Sequence, residues 1–556
     1  MNFIKWIALA AIFTASNLGA SPMEFPLIVK ASYEKPAQLN LLVRRAAPWL
    51  LNSRERTFEI DVNNQFEYDQ LLREGFQLEI NVEQTIAMRN PAQRLPNQIT
   101  GIDGFPCYRT LSETLARGAE LAQSYPAIAE WVDIGDSQLK TNNASQGYDL
   151  RVLRITNRAI SGNPGPKPVF FAQGALHARE YTTAETVLRL GEYFLTRYGI
   201  DPDVTWMVDH HDIHLLLVAN PDGREIAQVS ATRMARKNRN PLYCISSATT
   251  RGVDLNRNYP FDYAGPGAST VQCNDSFRGP NARSESETQA ITNYIQSIFP
   301  DQRNELNTPG GDLITPVSLD ATGAYFDIHS VVGTVWYSWG NSTTPAPNST
   351  QYASFARKIA FLNGYAPEPG VDGGAIGGAS DDFVFGTLGV PSFTIEMGGS
   401  SFFESCSSYE INFAQQTLNS LVLAAKVVRA PFRLPSGPDV LNVQVNLEAG
   451  GQRITAQASD LRFSSARGTE PTQNIIGAKL YSAPPWAGGA EVAQFSAVDG
   501  AFNSASENLT LLLPNALVPE QRQLWYIQAE DAGSPGFTRG PITGVFVGSG
   551  FKDGFE

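Results

Sequence analysis

Two apolar runs, each followed by a metal-ligating side chain, constrain the fold of this chain more than any other feature of its sequence. The first run, residues 167–172, precedes His177-Ala178-Arg179-Glu180, and apolar residues recur at helical spacing over residues 182–198 beyond it. The second run, residues 324–328, leads directly into His329. Both runs are typical of buried strands. Because open α/β sheets place their sites at the carboxyl ends of strands, we expect the two sets of ligands to meet there.

The pattern predicts a metal site. A His and a Glu three residues apart project from one face of a turn and can chelate one ion, for which zinc is the natural candidate. Three of the five histidines lie together elsewhere in the chain: His210, His211 and His214. His329 is then the obvious third ligand, and we predict that His177, Glu180 and His329 hold one Zn²⁺ per chain with an open position. The competing interpretations are a solvated helix start for the first motif and a satisfied core histidine for His329.

A carboxylate follows another apolar strand, since residues 392–395 are succeeded by Glu396. Zinc polarises a carbonyl group and lowers the pKa of a water molecule, and a carboxylate beside it must then take and relay the proton. We predict that Glu396 is this general base. The alternative is a surface glutamate at a strand end.

Four segments occur in an order compatible with one family. They are Asn220-Pro221-Asp222-Gly223, Arg233-Met234-Ala235-Arg236-Lys237-Asn238, Gly252-Val253-Asp254-Leu255-Asn256-Arg257-Asn258 and Phe393-Thr394-Ile395-Glu396. They resemble motifs of the pancreatic-type zinc carboxypeptidases, the funnelins, and the similarity runs from about Gly101 to about Arg433. The chain looks like a secreted bacterial member. The resemblance implies an α/β fold with a mixed central sheet flanked by helices, and zinc-dependent hydrolysis of the C-terminal peptide bond of peptides and proteins. A catalytically silent, carboxypeptidase-like binding protein is the alternative.

The resemblance also implies roles for individual side chains. Arg236 matches the residue that stabilises the negative charge developing on the carbonyl oxygen, and Asn256 with Arg257 matches the clamp for the terminal carboxylate of the substrate. Arg179 matches a further substrate-contacting arginine. Asp254 matches an outer carboxylate that orients a zinc-bound histidine, and a turn-forming aspartate is its alternative interpretation.

Other residues near these motifs are left outside the predicted site. Arg233, Lys237 and Arg239 are interpreted as a solvated basic helix face. The pancreatic enzymes have a mobile tyrosine that caps bound substrate, and it should fall near position 374 of this chain. Residues 373–378 are glycine-rich and contain no tyrosine. The loss of this tyrosine puts substrate affinity in doubt. Tyr365 is a poor substitute because its spacing is wrong.

Substrate preference depends on one acidic residue. Ser380-Asp381-Asp382-Phe383 resembles the Ser-Asp-Asp-Trp stretch of carboxypeptidases that remove Lys and Arg, and Asp381 falls at the base of the pocket for the leaving residue. A shielded carboxylate would pair with a guanidinium or ammonium group. The resemblance therefore implies a preference for basic, or for mixed basic and apolar, C-terminal residues. The alternative is a short helix capped by Ser380, with two acids in its first turn.

Two segments precede the predicted catalytic domain, which covers residues 98–433. Residues 1–20 have the basic start, apolar stretch and small residues of a secretory signal peptide. Residues 21–97 are predicted to form a small α+β, prosegment-like domain, with an exposed and cleavable linker over residues 88–100. Its predicted strands and helices alternate: strand 26–33, helix 37–46, strand 56–62, helix 66–76 and strand 77–82. Retention as a permanent domain is the alternative to cleavage.

After the catalytic domain the patterning changes. A linker over residues 434–438 is followed by alternating apolar runs at residues 440–447, 453–458, 508–513 and 524–529. These runs predict a β-sandwich over residues 436–547. A spacer, a stabiliser and an adhesion module are equally open as its role.

The four cysteines form an even set, which in an exported chain allows two disulfides in three connectivities. The resemblance implies a bridge between Cys244 and Cys273, which bracket the Asn256-Arg257 segment, and leaves Cys107 to join Cys406. A cysteine metal site is a poor alternative, because the sequence contains no C-x-x-C pair.

Charge and hydropathy restrict the partners and the compartment. The net charge of −13 disfavours nucleic acid and anionic membrane surfaces, and no run after the signal reaches the roughly 18 apolar residues of a membrane span. We expect an exported monomer, secreted or periplasmic before export, that acts on peptide or protein C-termini. The Gly-Asp-Ser segment at residues 135–137 resembles the start of a serine esterase, but no histidine follows His329 to complete such a site.

Overall fold

The computed structural model describes residues 23–46, 48–52, 55–90, 92–303, 314–534, 536 and 538–548. The predicted signal peptide, residues 1–20, lies outside these described residues. Within the described residues, no helix combines the length and apolar character needed to cross a membrane.

A mixed sheet of eight strands forms the centre of the described chain. Across the sheet, the strands are Ala366–Pro369, Thr334–Tyr337, Ser392–Met397, Ala324–Ser330, Val169–Gly174, Asp212–Leu216, Asp149–Ile155 and Ala129–Asp136. The four strands from Ser392–Met397 to Asp212–Leu216 are parallel to one another, and antiparallel pairs flank them on both sides. The mixed central sheet predicted for the catalytic domain is therefore confirmed.

The central strands are apolar because helices cover both faces of the sheet. Every residue of Val169–Gly174 and of Ala324–Ser330 is buried. In the described part of this region the α-helices are Leu111–Ser124, Gln138–Asn142, Tyr181–Arg197, Pro202–His210, Pro221–Ala227, Ser286–Ile298, Ser349–Asn363, Ser380–Leu388, Cys406–Ser408 and Ala414–Val427. The predicted strand, loop and helix around His177 correspond to Val169–Gly174 and Tyr181–Arg197.

The N-terminal region forms a separate antiparallel sheet of four strands with its own core. In chain order its elements are strand Leu27–Ser32, helix Pro36–Arg45, strand Leu50–Asn52, strand Thr57–Val62, helix Gln65–Arg73, strand Gln77–Ile80 and helix Val82–Arg89. The five predicted elements are confirmed, with ends shifted by a few residues. The short strand Leu50–Asn52 was not predicted.

The predicted linker over residues 88–100 is wrong at its start. The helix Val82–Arg89 continues to Arg89, and the side chain of Asn81 caps it by accepting a hydrogen bond from the Gln84 amide. Met88 packs against the main core, whereas most of residues 93–100 are exposed. The sequence analysis extended the preceding strand to residue 82, but the Asn81 cap starts a helix at Val82. The packing of Met88 on the core then holds the last turn of this helix.

The C-terminal region consists of two four-stranded sheets packed on a common apolar core. One sheet contains Asp439–Glu448, Gly451–Ser459, Ser506–Pro514 and Ser496–Ala497. The other contains Glu491–Gln494, Ile475–Tyr481, Gln523–Asp531 and Thr543–Val547. Four of these strands match the predicted alternating runs, and the predicted β-sandwich is confirmed.

This β-sandwich packs tightly on the catalytic region. Tyr481, Tyr526 and Ile542 belong to the main hydrophobic core of the molecule. The Trp486 ring lies 5.8 Å from the Trp206 ring, measured between centroids. The shared core argues against a loosely tethered spacer, since buried apolar surface holds the two regions together.

Both predicted disulfides are present. Cys107 is bonded to Cys406, and Cys244 is bonded to Cys273. The first bridge connects the two ends of the catalytic region across 299 residues, and the second closes a loop of the chain that contains Asn256 and Arg257.

Candidate metal centre and active site

The first two predicted ligands lie in a tight loop between a strand and a helix. His177 follows the strand Val169–Gly174, and Glu180 is the residue before the helix Tyr181–Arg197. A side chain at Gly174 would lie 2.8 Å from the Thr183 carbonyl oxygen, so the loop can close only with glycine there. The close approach of strand and helix turns both ligands to the carboxyl edge of the sheet.

The structure brings His177, Glu180 and His329 together. Nδ1 of His177 lies 2.8 Å from Oε1 of Glu180, and Nδ1 of His329 lies 3.1 Å from Oε2. One ligand atom from each residue fits within a mutual distance of 4.8 Å, and all three residues are buried. Burial opposes ionisation of Glu180, but the two imidazoles outweigh it and hold the pKa of this carboxyl below its usual range.

A carboxylate contacts the outer nitrogen of each histidine. Nε2 of His177 lies 3.2 Å from Oδ1 of Asp254, and Nε2 of His329 lies 3.1 Å from Oδ2 of Asp327. Such contacts set the ring orientation and leave both Nδ1 atoms directed at Glu180. Two nitrogens and one carboxylate, all buried and so oriented, fit a zinc ion. Sequence reasoning missed Asp327, whose signal was its position two residues before His329 on the same face of a strand.

Glu396 lies beside the ligand cluster. The sheet register pairs it directly with His329, and it lines the same cavity as His177 and Glu180. Its Oε2 is buried and has no hydrogen-bond partner among the described residues. Burial raises the pKa of Glu396 to about 8, and the positive partners His329 and Arg236 oppose that rise. A dication held by the ligands would favour the ionised carboxylate further.

Arg236 is buried against the outer carboxylate of the site. It donates from Nε and Nη2 to Oδ2 of Asp254, at 3.3 and 3.0 Å, and its Nη1 lies 3.8 Å from Oε1 of Glu180. Asn220 donates to the carbonyl oxygens of Leu176 and Arg236, so it joins the two loops that carry His177 and Arg236.

The interpretation of the neighbouring cations as a solvated helix face is wrong. All three side chains are buried: the exposed fraction is 6% for Arg233, 1% for Lys237 and 6% for Arg239. They lie in an irregular loop after the short 3₁₀ helix Ser230–Thr232. Lys237 donates to two backbone carbonyls, and Arg233 donates to carbonyls of the N-terminal helix Val82–Arg89. The carbonyl acceptors of Arg233 and Lys237 come from segments distant in sequence. These tertiary contacts allow the side chains to be buried, although the run of basic residues predicts that they are exposed.

Asn256 and Arg257 line the cavity beside Glu396. Arg257 donates to the carbonyl oxygens of Asn256 and Gly267, and Oδ1 of Asn256 accepts from the Ser380 amide at 2.9 Å. Burial lowers the pKa of the Arg257 guanidinium to about 10, which leaves it charged at neutral pH. A fixed, buried cation with an amide beside it suits a carboxylate ligand.

Arg179 is not among the residues that line this cavity. Its guanidinium lies 4.4 Å from the centre of the Phe402 ring, and Nη1 is 3.2 Å from Oδ2 of Asp275. Its charge acts on Asp61 of the N-terminal sheet, whose pKa is raised by burial and by Asp275 and lowered by Arg179. The structure therefore places Arg179 beside the N-terminal region.

Asp381 lines the same cavity as His177, Glu180 and Glu396. Its Oδ2 accepts from the Thr394 hydroxyl and its Oδ1 from the Asp382 amide, both at 2.9 Å, and burial raises its pKa. The alternative interpretation is right that a short helix begins here with Asp381 and Asp382 in its first turn, but it is wrong that Ser380 caps that helix. Ala379 is the cap residue of the helix Ser380–Leu388, and the Ser380 hydroxyl donates to Asp327 instead.

The glycine-rich segment in the place of the family's tyrosine packs against the N-terminal region. A side chain at Gly374 would lie 2.7 Å from Cγ2 of Val43, and the Ala375 amide donates to Oδ1 of Asn40 at 3.0 Å. Tyr365 is buried, with its hydroxyl 3.3 Å from that of Thr417, and it does not line the cavity. Its exclusion from the predicted site agrees with this position.

A buried His–Glu–His cluster with an unpaired carboxylate beside it is the arrangement of a metal-dependent hydrolase. The family model described as "Zinc carboxypeptidase" (Peptidase_M14) matches residues 117–420, more than half of the chain. The chain therefore belongs to the zinc carboxypeptidase family.

Curated relatives align over part of their length. Carboxypeptidase A2 of Mus musculus is 32% identical over 195 residues, which cover 35% of this chain and 42% of that protein. Metallocarboxypeptidase A of Trichophyton rubrum is 34% identical over 178 residues, which cover 32% and 39% of the two chains. The aligned part thus spans less than half of these relatives.

Solved structures share the fold. Thrombin activatable fibrinolysis inhibitor (TAFI) superposes with a TM-score of 0.54 at 19% identity, over 73% of this chain and 98% of that one. Carboxypeptidase A from Helicoverpa armigera gives 0.53 at 21% identity, over 72% and 97%. At these identities the likeness establishes the fold alone.

Proposed function

We propose that this protein is an exported, zinc-dependent metallocarboxypeptidase that hydrolyses the C-terminal peptide bond of peptides and proteins. The observation that carries the proposal is the Oε2 atom of Glu396, which is buried and has no hydrogen-bond partner among the described residues. Glu396 shares one cavity with the His177–Glu180–His329 cluster and with Arg257. A binding protein has no need to keep an unpaired carboxylate at that position, because burial of such a group costs free energy.

Each side chain has a part in the proposed reaction. When bound, the zinc ion supplies Lewis-acid polarisation of the scissile carbonyl and lowers the pKa of a water molecule. Arg257 and Asn256 hold the terminal carboxylate of the substrate, which fixes the scissile bond beside Glu396. Glu396 takes the proton of the attacking water and passes it to the departing amine. Arg236 places positive charge near the carbonyl oxygen as negative charge develops on it.

Metal content and peptide release test this proposal together. Purified mature protein is expected to contain one zinc per chain and to release C-terminal residues from a mixed peptide pool, with loss of release after chelation and recovery on adding zinc. Undiminished release by metal-free protein would refute the zinc mechanism. Zinc binding without any release would favour the catalytically silent binding protein.

We infer that the N-terminal region blocks the cavity in the intact chain. Val43 and Pro48 line the same cavity as Glu396. The Trp49 ring lies 5.3 Å from that of Phe402, another lining residue, and Trp49 is 1% exposed. A peptide C-terminus would have to displace these apolar contacts, so this region acts as a prosegment that is removed by cleavage in the exposed residues after Arg89.

The carboxylate of Asp381 supports a preference for basic C-terminal residues, with mixed basic and apolar acceptance as the broader form of the same proposal. Asp381 lies in the cavity without a cationic partner among its hydrogen bonds, which come from Thr394 and Asp382. A guanidinium or ammonium group would supply the missing charge.

Export is supported by the signal-like residues 1–20 and by the two disulfides, which persist in oxidising compartments.

A further inference from the structure

One aromatic side chain forms a wall of the cavity next to Asp381. Trp336 lies on the strand Thr334–Tyr337, where the register pairs it with Thr394 on one side and Glu368 on the other. Trp336 and Asp381 line the same cavity, and Thr394 donates its hydroxyl to Asp381. The indole therefore stands beside the carboxylate that we assign to the leaving residue.

In the intact chain the Trp336 indole packs in the apolar core of the N-terminal region and also donates a hydrogen bond to Glu368. The hydrogen bond to Glu368 is the one that remains when the N-terminal region is removed. Nε1 of Trp336 donates to Oε1 of Glu368 at 3.2 Å, at a site where Glu368 is only 2% exposed. The chain passes directly over the ring at Gly373, where a side chain would lie 2.4 Å from Cζ2 of Trp336. Gly370 and Gly373 also line the cavity. A shift of the indole would thus move both the wall and the rim of the pocket.

The charge partner of Glu368 comes from the C-terminal β-sandwich. Nη2 of Arg467 lies 2.5 Å from Oε2 of Glu368. Arg467 belongs to the segment between the strands Gly451–Ser459 and Ile475–Tyr481. A buried carboxylate that loses its cation becomes protonated or moves towards water, and in either case it is a poorer acceptor for an indole N–H.

The segment that carries Arg467 is anchored on the catalytic region. Arg357 of the helix Ser349–Asn363 forms an ion pair with Glu470 at 2.7 Å. The Ser464 amide also donates to the Arg357 carbonyl at 2.9 Å. These contacts on both sides of Arg467 hold its guanidinium against Glu368.

We propose that Arg467 of the β-sandwich is a positioning residue for the pocket that takes the leaving residue. It pairs with Glu368, Glu368 fixes the Trp336 indole, and the indole forms the wall beside Asp381. The ligand class is a basic side chain, because a carboxylate and an aromatic ring in the lining of one cavity both attract a guanidinium. This inference rests on the proposed function, and it makes the β-sandwich part of the substrate site.

Binding and turnover are measured separately in Arg467→Ala, Arg467→Lys and Arg462→Ala, each prepared as the full chain and then cleaved within the mostly exposed residues 93–100. The readouts are the Kd of free arginine by calorimetry, and KM and kcat for a peptide that ends in Arg. Arg462 is the matched control. It lies in the same segment and pairs with Asp439 at 3.2 Å, away from the cavity.

Arg467→Ala is expected to weaken arginine binding and raise KM by about fivefold to tenfold, the effect of losing one charge-assisted contact, with kcat changed by less than about twofold. Arg467→Lys should recover most of the loss, and Arg462→Ala should match the wild type. Unchanged binding in Arg467→Ala, or equal losses in Arg467→Ala and Arg462→Ala, would overturn the inference.

The same experiment separates this inference from the proposed function. Wild-type protein that binds arginine without hydrolysing the peptide would refute the carboxypeptidase proposal, while the difference in Kd between the variants still decides the role of Arg467. Wild-type protein that binds no arginine would refute the basic pocket, and with it this inference.

Discussion

At the scale of single residues, the site is built by sheet register. Glu396 and His329 are direct partners on neighbouring parallel strands, and Thr394 and Asp327 pair two residues earlier. Because side chains two residues apart share a face, all four project to the same side of the sheet. The register therefore brings a ligand, its outer carboxylate and the proposed base together, although they come from two distant parts of the chain.

The substitution Glu396→Gln is expected to keep the fold and the bound zinc while activity falls by at least about 100-fold, the usual effect of losing a general base. Zinc content, thermal unfolding and the rate of peptide hydrolysis are the measurements. Glu410→Gln is the control, since Glu410 pairs with Arg189 on the surface and does not line the cavity. Near wild-type turnover in Glu396→Gln would assign the base to another residue.

Asp381→Ile is expected to reverse the substrate preference. In the wild type, kcat/KM should be higher for a peptide ending in Arg than for one ending in Phe, because an apolar side chain leaves the Asp381 carboxylate buried and unpaired, at a cost of several kcal/mol. In the variant, isoleucine makes the floor of the pocket apolar, so kcat/KM should be higher for the peptide ending in Phe. An unchanged Arg/Phe ratio would show that Asp381 has only a structural role.

At the scale of secondary-structure elements, a partly buried ion pair joins the neighbouring strands Asp149–Ile155 and Asp212–Leu216. Arg154 donates to both oxygens of Asp212, at 2.9 and 2.8 Å, and Nε2 of His214 lies 3.1 Å from Oδ1. Burial opposes ionisation of Asp212, but these partners outweigh it and hold the pKa of this carboxyl well below its usual range. An acid with a depressed pKa stabilises the fold at pH values above its unfolded pKa, and that contribution is lost as the pH falls through the folded pKa.

Asp212→Asn is accordingly expected to lower the free energy of unfolding by about 2 kcal/mol at pH 7. The difference between the two proteins should stay constant down to about pH 5 and narrow below about pH 4, where Asp212 is protonated in the unfolded chain. Denaturant unfolding at several pH values measures it. Asp103→Asn removes an exposed ion pair with Arg94 and should change stability by less than about 1 kcal/mol. A pH-independent loss in Asp212→Asn would contradict the assignment to charge.

At the scale of the whole molecule, one accessory region lines the cavity and the other is linked to it through a chain of side-chain contacts. The N-terminal region contributes Val43 and Pro48 to the cavity lining. The β-sandwich contributes Arg467, which pairs with Glu368, and Glu368 in turn accepts a hydrogen bond from the cavity residue Trp336. Both regions share apolar core with the catalytic region, the first through Ile28 and Trp49 and the second through Tyr481, Tyr526 and Ile542. Only the first is joined to the catalytic region by a mostly exposed segment, residues 93–100, and that connection allows its release by cleavage.

Limited trypsin digestion of the full chain is expected to cut after Arg94, whose side chain is 55% exposed, and to raise peptidase activity by at least about tenfold. Mass spectrometry locates the cut, and hydrolysis is followed in the same samples. Arg94→Gln should resist this cut and stay at low activity under the same treatment. Intact protein from Ser21 onward that is already as active as the cut form would show that the N-terminal region is no inhibitor.

The sequence by itself determined the parts that depend on short-range pattern. Apolar runs gave correct positions for the central strands, alternation predicted the β-sandwich, and the spacing within His177-Ala178-Arg179-Glu180 predicted two ligands on one turn. The family resemblance supplied the disulfide pairing and the positions of Arg236, Asn256 and Arg257 at the cavity. These features survive because each depends on residues close in sequence or on a motif that keeps its local shape.

Only the tertiary structure decided which residues share an environment across long distances. Asp327 contacts His329 because of strand geometry, Arg179 faces the N-terminal region, and Arg233, Lys237 and Arg239 are buried by backbone carbonyls from other segments. The ion pair of Arg467 with Glu368 joins two regions about 100 residues apart. Burial and pairing of charged side chains are set by the packing of whole elements, and no local periodicity encodes that packing.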